Sequence, residues 1–463
     1  MTYVVESCDG ELLSGSSTAT ITRVCTDSRQ AQPGDLFIAL TGDQFDGHDF
    51  LIDVARKEAA AVIAEREKIR NRTLRCAVIA VGNTRQALGK LAARYRRDFH
   101  PTVVAVGGSN GKTTTKELLA AVLRQRFETL WSEASFNNDI GVPMTLLKLD
   151  KTHQAAVLEV GTNHPGELAP LVRMIEPEFG VLTSIGREHL EFFGNLNGVA
   201  EEEGWLAELL PADGKLFANG DSPELERVLR RTRAKVTRAG FGSGNDWRAS
   251  DVKLDETGAT FQLETAQAPF CGKYRIHLLG RHQVVNAALA AAVGAELGLE
   301  REEIQRGLAE CRPTKMRMQV WISKGVRVLD DAYNANADSV VAALETLKEF
   351  PCEGRRVAVL GEMAELGPHS AEAHAEVGRR AAELNVDQLF AVGKMAGLMG
   401  AAARAAGLMR VIELGEVETV ATAVKHFVRS GDVVLIKASR AARLERVSEV
   451  LRGENTKHEQ DEL

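Results

Sequence analysis

The sequence predicts an α/β protein of three domains, and three observations predict it. The chain has 463 residues, more than one core holds, since domains usually run ~100–200 residues. Apolar runs of strand length alternate with helically spaced segments through the middle and last thirds, the pattern of mostly parallel sheets covered on both faces. The character of the pattern changes near residues 100 and 313. The expected domains are therefore a small N-terminal α/β domain over 1–100, a central domain with a mostly parallel sheet over 101–313, and a C-terminal, Rossmann-like doubly wound domain over 314–463.

In the first region, Gln32-Pro33-Gly34-Asp35 reads as a turn and Leu36–Leu40 as a short buried strand. Phe50–Ala60 has helical spacing, Ala61–Ala64 and Cys76–Val81 read as strands, and a helix spans 84–98. The second region opens with a strand over 102–106, a glycine-rich turn and a helix from Lys112. Strands follow at Ala155–Val160 and Val181–Ile185 with the helix Pro165–Ile175 between them, then short antiparallel strands over 247–279 and helices at 282–297 and 301–311. In the third region Val326–Asp330, Val357–Gly361, Gln388–Val392, Val411–Glu413 and Val433–Lys437 read as strands. Helices at 338–349, 370–384, 396–406 and 416–429 lie between them.

Composition narrows the class. With 44% hydrophobic and 26% charged residues the chain reads as an ordinary soluble protein. A net charge of −7 gives no electrostatic case for nucleic acid, and the basic cluster Arg227–Arg238 reads as a solvated helix face. The six cysteines have no CxxC pair or metal-ligand spacing; the closest two, Cys8 and Cys25, stand 17 apart. Free thiols, no signal peptide and no apolar run of membrane length give the expectation of a cytoplasmic protein without a membrane span. The polar tail from Gly453 is expected to fray, and its end, Gln460–Leu463, matches an ER-retention signal by chance alone.

The strongest local signal is Gly107–Thr114, which follows an apolar strand and begins a helix. That is the context of a phosphate loop: glycines let backbone N–H groups converge on phosphate oxygens, and a helix N-terminus adds partial positive charge. The central domain is therefore P-loop-type. Lys112 would reach the β- and γ-phosphates and Thr113 would ligate Mg²⁺. The strict pattern asks for glycine at 106, where this chain has Val106, and an incidental lysine after a Gly-rich turn is the alternative. Asn137 and Asn138 offer amides suited to amide or sugar groups, or simply form a turn. Glu159 ends a strand, where a carboxylate beside a phosphate loop meets Mg²⁺ or else faces solvent. His189 also follows a strand; it is a structural or a site histidine, with Glu188 or Glu191 as its partner. Asp330–Ser339 is unusually polar directly after a strand, which marks a site or a helix cap by Asn336 or Asp338.

Taken in this order, these residues resemble the Mur ligase family. Asp27-Ser28-Arg29, Pro33–Phe37 and Asp46-Gly47-His48 resemble its uridine-nucleotide domain, so the N-terminal domain is expected to hold a nucleotide sugar. Gly161–Glu167, Asp330–Asn336, Leu360–Gly367 and Gly280-Arg281-His282 with Asn286 continue the resemblance over nearly the whole chain. It implies an ATP- and Mg²⁺-dependent amide ligase acting through an acyl phosphate, with UDP-N-acetylmuramoyl-tripeptide and D-alanyl-D-alanine as partners and a monomeric state. It places Gly108, Ser109, Asn110, Gly111, Lys112, Thr113, Thr114, Asn286, Arg317 and Asp331 on ATP. Thr113, Glu159 and His189 fall on metal, and Ser28, Asn137, Asn138, Asn334, Asn336, Lys437 and Ser439 on the other substrates.

The chain departs from the family at one position in particular. Many members carry a carbamylated lysine soon after that histidine, whereas Val199–Trp205 has no lysine and Glu203 stands at its place. A carbamate is a carboxylate on a long stem. Glu203 is therefore expected to act with Lys112 and His189 in catalysis as a carboxylate needing no modification; an acidic helix face is the alternative. Ala337 replaces a usual proline, and Ala438 a usual glycine, which is expected to narrow the space near Lys437 and Ser439. Two other readings remain open: another amide ligase of the same superfamily, such as folylpolyglutamate synthase, and a nucleotide-dependent switch without ligase chemistry.

Overall fold

The computed structural model describes residues 1–42, 44–69 and 73–453; the tail beyond Gly453, including Gln460–Leu463, lies outside them. Packing divides the chain into two compact units. The first comprises Met1–Ala105, Glu128–Gly161 and Ala169–Pro177. Its five-stranded sheet is built from β1 (Glu11–Ser14), β2 (Arg23–Cys25), β3 (Asp35–Ile38), β4 (Ala61–Glu65) and β5 (Ala77–Val81), in the order β1-β5-β4-β3-β2. β1 is antiparallel to β5 and the remaining pairs are parallel. β4 and β5 are apolar at nearly every position and buried accordingly, as strands covered on both faces must be. The helix Thr84–Arg96 starts at Asn83, whose side chain accepts the Gln86 N–H. The same unit holds most of β6 (Thr102–Gly107), with β7 (Thr129–Trp131) and β8 (Ala155–Glu159), in the order β6-β8-β7.

The second unit carries Val106–Phe127, Thr162–Leu168 and Glu178–Leu463. Here β9 (Phe179–Leu182), β10 (Lys215–Asn219), β11 (Lys235–Gly240) and β12 (Trp247–Asp255) run parallel. β13 (Gly258–Thr265) and β14 (Gly272–Ile276) then extend the sheet antiparallel. The helix Arg281–Glu296 is buried from Gln283 to Gly294 and packs on the helix Lys112–Leu123; its run of alanines permits that close approach.

The third sheet joins β15 (Gln319–Ser323), β16 (Val326–Asp330), β17 (Arg356–Leu360), β18 (Gln388–Val392), β19 (Val411–Leu414) and β20 (Val433–Lys437), in the order β15-β16-β20-β17-β18-β19. All are parallel except the edge strand β15. Along β20, Val433 and Leu435 enter one core while Val434 and Ile436 enter the other. This period of two between two apolar faces is what a doubly wound sheet requires.

Several expectations need correction. The basic cluster Arg227–Arg238 is no helix face: the short helix Leu225–Leu229 ends within it, and its end enters β11, where Thr237 is buried. The alternation in Lys235-Val236-Thr237-Arg238-Ala239 is a strand's period. The helix expected over Pro165–Ile175 begins only at Leu168, and that over Phe50–Ala60 covers Leu51–Arg56. The short strands β1, β2, β7, β10, β11 and β15 went unforeseen, most of them brief or polar at their ends.

One buried histidine fixes a loop that matters below. His374, in the helix Ser370–Glu383, is fully buried. Its Nε2 accepts the Met363 N–H at 3.0 Å and its Nδ1–H donates to the Ser370 carbonyl at 2.7 Å. Both bonds hold only for a neutral ring, and burial lowers the pKa from the ordinary 6.5. Unfolded chains take up the proton first, so this contribution to stability is present above 6.5 and lost as pH falls through the lower native value. His374→Gln should destabilise the protein by about 1–3 kcal/mol near pH ~7.5, with the gap to the parent narrowing towards pH ~5.5. Urea midpoints of both proteins across that range test this; a constant gap counts against it.

Candidate active site

The phosphate loop is shaped by two glycines. Gly108 and Gly111 have φ of 110° and 89°, a left-handed backbone that other residues adopt with strain. A Cβ at 108 would lie 2.5 Å from Thr183 Oγ1, and one at 111 would lie 2.9 Å from the Asn286 amide. Three loop N–H groups are bonded within the protein: Gly108 to Glu203 Oε2 at 2.6 Å, Ser109 to the Ser184 carbonyl at 2.8 Å, and Asn110 to Ser184 Oγ at 3.0 Å. The helix Lys112–Leu123 then starts with no side-chain cap, so its dipole end faces the loop. Thr113 and Thr114 lie in its buried first turn. Val106, the departure from the strict pattern, is buried in β6.

Lys112 Nζ donates to the Gly108 carbonyl at 2.5 Å and the Ser109 carbonyl at 3.3 Å, and pairs with Glu188 Oε2 at 3.3 Å. Behind it, Glu203 is 0% exposed. Oε1 of Glu188 and Oε1 of Glu203 are both buried and accept no N–H. Burial raises the Glu203 pKa well above the ordinary glutamate range; the Lys112 charge opposes the rise, and Glu188, close enough to share a proton, adds to it. The arrangement is one ammonium serving two carboxyls out of water.

The helix Leu196–Glu208 supplies Glu203, and its acidic triplet divides three ways. Glu201 faces outward to Arg227 and Arg231. Glu202 is buried and accepts the Gly166 and Leu168 N–H groups at 2.9 and 2.8 Å, fixing the 162–168 loop. The alternative of an acidic helix face therefore does not hold for two of the three. The signal was present: Val199, Glu203 and Leu206 share one helical face, and its apolar members are fully buried.

His189 has a left-handed φ of 47° and opens the short helix Leu190–Phe193. Its hydrogen-bond partner is Glu365, with the flanking Glu188 farther off. Nδ1 pairs with Glu365 Oε2 at 2.5 Å, while Nε2 lies 4.0 Å from Glu188 Oε2. Arg187 bonds Asp338 and Glu376. Asn336 caps the helix Ala337–Glu349 through a capping box, and its Nδ2 donates to Asn110 Oδ1 at 2.9 Å. It is thus both cap and loop contact, while Asp338 serves Arg187.

At the ends of β16 and β20, Lys437 Nζ donates to Asp331 Oδ2 at 2.6 Å and to the Asn334 carbonyl at 2.9 Å. Ser439 is buried beside them, its N–H on the Glu362 carbonyl. Arg317 stacks over the Tyr333 ring at 4.2 Å, and Asn286 Nδ2 donates to Gln283 Oε1 at 2.8 Å. Ala438 does not narrow this crevice as expected. Its methyl is buried in the adjoining core, against the space that Gly361 leaves by lacking a Cβ.

The remaining predicted residues belong to the first unit. Glu159 is buried at the end of β8, with Asn137 Nδ2 donating to its Oε1 at 2.8 Å. Asn138 Oδ1 accepts from Ile140 and Gly141 at the start of the helix Gly141–Leu146, a structural use. Ser28 sits in a single helical turn, its carbonyl accepting from Lys57 Nζ. Among the described residues no helix is long and apolar enough to cross a membrane.

Comparison with known proteins follows this geometry. The family model described as Mur ligase family, catalytic domain, matches residues 20–96, the Mur ligase middle domain matches 106–294, and the Mur ligase, glutamate ligase domain, matches 316–440. A protein of Escherichia coli (strain K12) named UDP-N-acetylmuramoyl-tripeptide--D-alanyl-D-alanine ligase is 35% identical, across 98% of this chain and 99% of its own. MurF from Acinetobacter baumannii superposes with a TM-score of 0.89 at 31% identity, covering 98% of each chain. A MurF ligase from Thermotoga maritima, solved in complex with ADP, gives 0.83 at 30% identity, covering 95% of this chain and 99% of that one. The three-domain α/β fold is that of these structures.

Proposed function

The chain belongs to the Mur ligase family, and from that premise we propose that it joins D-alanyl-D-alanine to UDP-N-acetylmuramoyl-tripeptide in peptidoglycan precursor synthesis. The observation that carries the chemistry is Lys112, held on the loop carbonyls and Glu188, in front of the buried Glu203. The γ-phosphoryl group of ATP passes to the tripeptide's terminal carboxylate, an O–P bond forming as the bond to ADP breaks. The amine of D-alanyl-D-alanine then attacks the acyl carbon, and the amide forms as phosphate and a proton leave. Such a reaction needs positioning and charge neutralisation more than covalent help from the protein.

The loop residues 108–111 with Thr113 and Thr114 would hold the phosphates, Lys112 would neutralise the transferred group, and Asn286, Arg317 and Asp331 would hold the rest of ATP. Ser28, Asn137, Asn138, Asn334, Asn336, Lys437 and Ser439 would serve the two other substrates. Thr113, Glu159 and His189 would hold Mg²⁺; the hydroxyl and carboxylate oxygens are hard donors that suit it, while among the described residues no three His, Cys, Asp or Glu side chains cluster as a preformed metal site. When bound, the ion supplies charge neutralisation between phosphate oxygens. The domains run over 1–100, 101–313 and 314–463, and ATP with a nucleotide-linked substrate assigns the enzyme to the cytoplasm.

Phosphate release tests this reading. It should require ATP, the UDP-muramoyl tripeptide and D-alanyl-D-alanine together. Release indifferent to the two peptides would instead favour a nucleotide-dependent switch, and release with a folate acceptor a different amide ligase.

A further inference from the structure

The 361–369 segment that follows β17 rides directly on the residues that follow His189. Glu365 Oε2 meets His189 Nδ1 at 2.5 Å, and the Glu365 carbonyl accepts the Glu191 N–H at 3.0 Å. His369 Nε2 donates to the Gly194 carbonyl at 2.8 Å. A Cβ on Gly367 would approach Glu191 Cα to 3.1 Å. Both members of the His189–Glu365 pair have left-handed backbones, φ 47° and 58°. For residues other than glycine such conformations cost about 1 kcal/mol or more each and persist only where their surroundings enforce them. Two strained residues meeting in one short hydrogen bond form a built contact, and the neutral His374 anchors the same loop through Met363.

The bond fixes how the His189 ring is turned. With Nδ1 held by the Glu365 carboxylate, Nε2 lies on the side of the ring nearest Glu188 and hence Lys112. A carboxylate behind an imidazole fixes both tautomer and ring orientation.

We propose that Glu365 is a positioning residue of the ligase reaction, holding the His189 ring so that Nε2 is directed to the reacting groups. This rests on the assignment of His189 to the active site, and the test separates the two.

Glu365→Ala and Glu365→Gln are compared with His189→Ala and with the double variant Glu365→Ala/His189→Ala. Glu365 is a surface loop residue whose side chain is 43% exposed, so the variants should fold. Glu365→Ala should lower kcat by about 10–100-fold with little change in KM. Glu365→Gln, whose amide oxygen can still accept the Nδ1 proton, should recover part of that loss. The double variant should be no slower than His189→Ala, because the two residues act as one unit. A readout independent of turnover is the ring itself. In ¹⁵N-histidine spectra of the full chain, the His189 signals, identified by their loss in His189→Ala, should show a hydrogen-bonded Nδ1 in the parent and lose that signature in Glu365→Ala. Multiplicative losses in the double variant, or unaltered His189 signals in Glu365→Ala, overturn the proposal. Full activity in His189→Ala overturns the assignment of His189 instead.

Discussion

Replacing Lys112 with alanine lowers kcat by about 10³-fold or more and leaves the protein folded. Both loop carbonyls and Glu188 converge on the ammonium. Phosphoryl transfer spreads negative charge over the equatorial oxygens of the moving group, and in a site screened from water an ammonium there is worth several kcal/mol. Arginine should not rescue it, since a planar fork does not fit where a compact charge is gripped by two carbonyls at 2.5 and 3.3 Å. Phosphate release at saturating substrates measures this, with the thermal transition as the folding control. An alanine variant within ~10-fold of the parent would remove Lys112 from the chemical step.

Glu203→Ala should lower kcat by about 100-fold and destabilise the protein by about 2–4 kcal/mol. Two effects combine. Truncation leaves a void at a fully buried position, and it strips the Gly108 N–H of its acceptor at 2.6 Å. Glu203→Gln separates the structural use from the charge. Its amide oxygen can still accept from Gly108, so the fold and most of the stability should return, while activity recovers only as far as the reaction tolerates a group beside Lys112 that cannot ionise or share a proton. If Glu203 does the work of the family's carbamylated lysine with its own carboxylate, depletion of bicarbonate and CO₂ should leave the parent's turnover unchanged. Turnover that falls on depletion, or a Glu203→Ala variant as active as the parent, defeats this account.

The phosphate loop, the three sheets and the polar strand ends could be read from the sequence because their signals are local. Strands such as Val433–Lys437 are continuous apolar runs, and Gly107–Thr114 sits at a strand-to-helix junction. Glu203 was half legible: its position in the chain marked it, and its burial followed from the helical register with Val199 and Leu206. The partner of His189 was not. Glu365 lies 176 residues away, whereas Glu188, adjacent in sequence, stands only at 4.0 Å from Nε2. Periodicity fixes a residue's own face and says nothing of what a distant loop brings to it. Ala438 failed for the same reason, since Gly361 on the neighbouring strand takes up its methyl. The short strands β7 and β15 failed because three to five residues carry too little alternation to stand out.

The bonding of Gly108, Ser109 and Asn110 has a consequence for ligand design. Their three N–H groups bond to Glu203 and Ser184, so phosphate oxygens meet them only by sharing or displacing those acceptors. An inhibitor whose anionic head spans the whole loop must do the same. A compact head seated over the start of the helix and the Lys112 ammonium, with an uncharged group towards β6, matches the donors this chain offers.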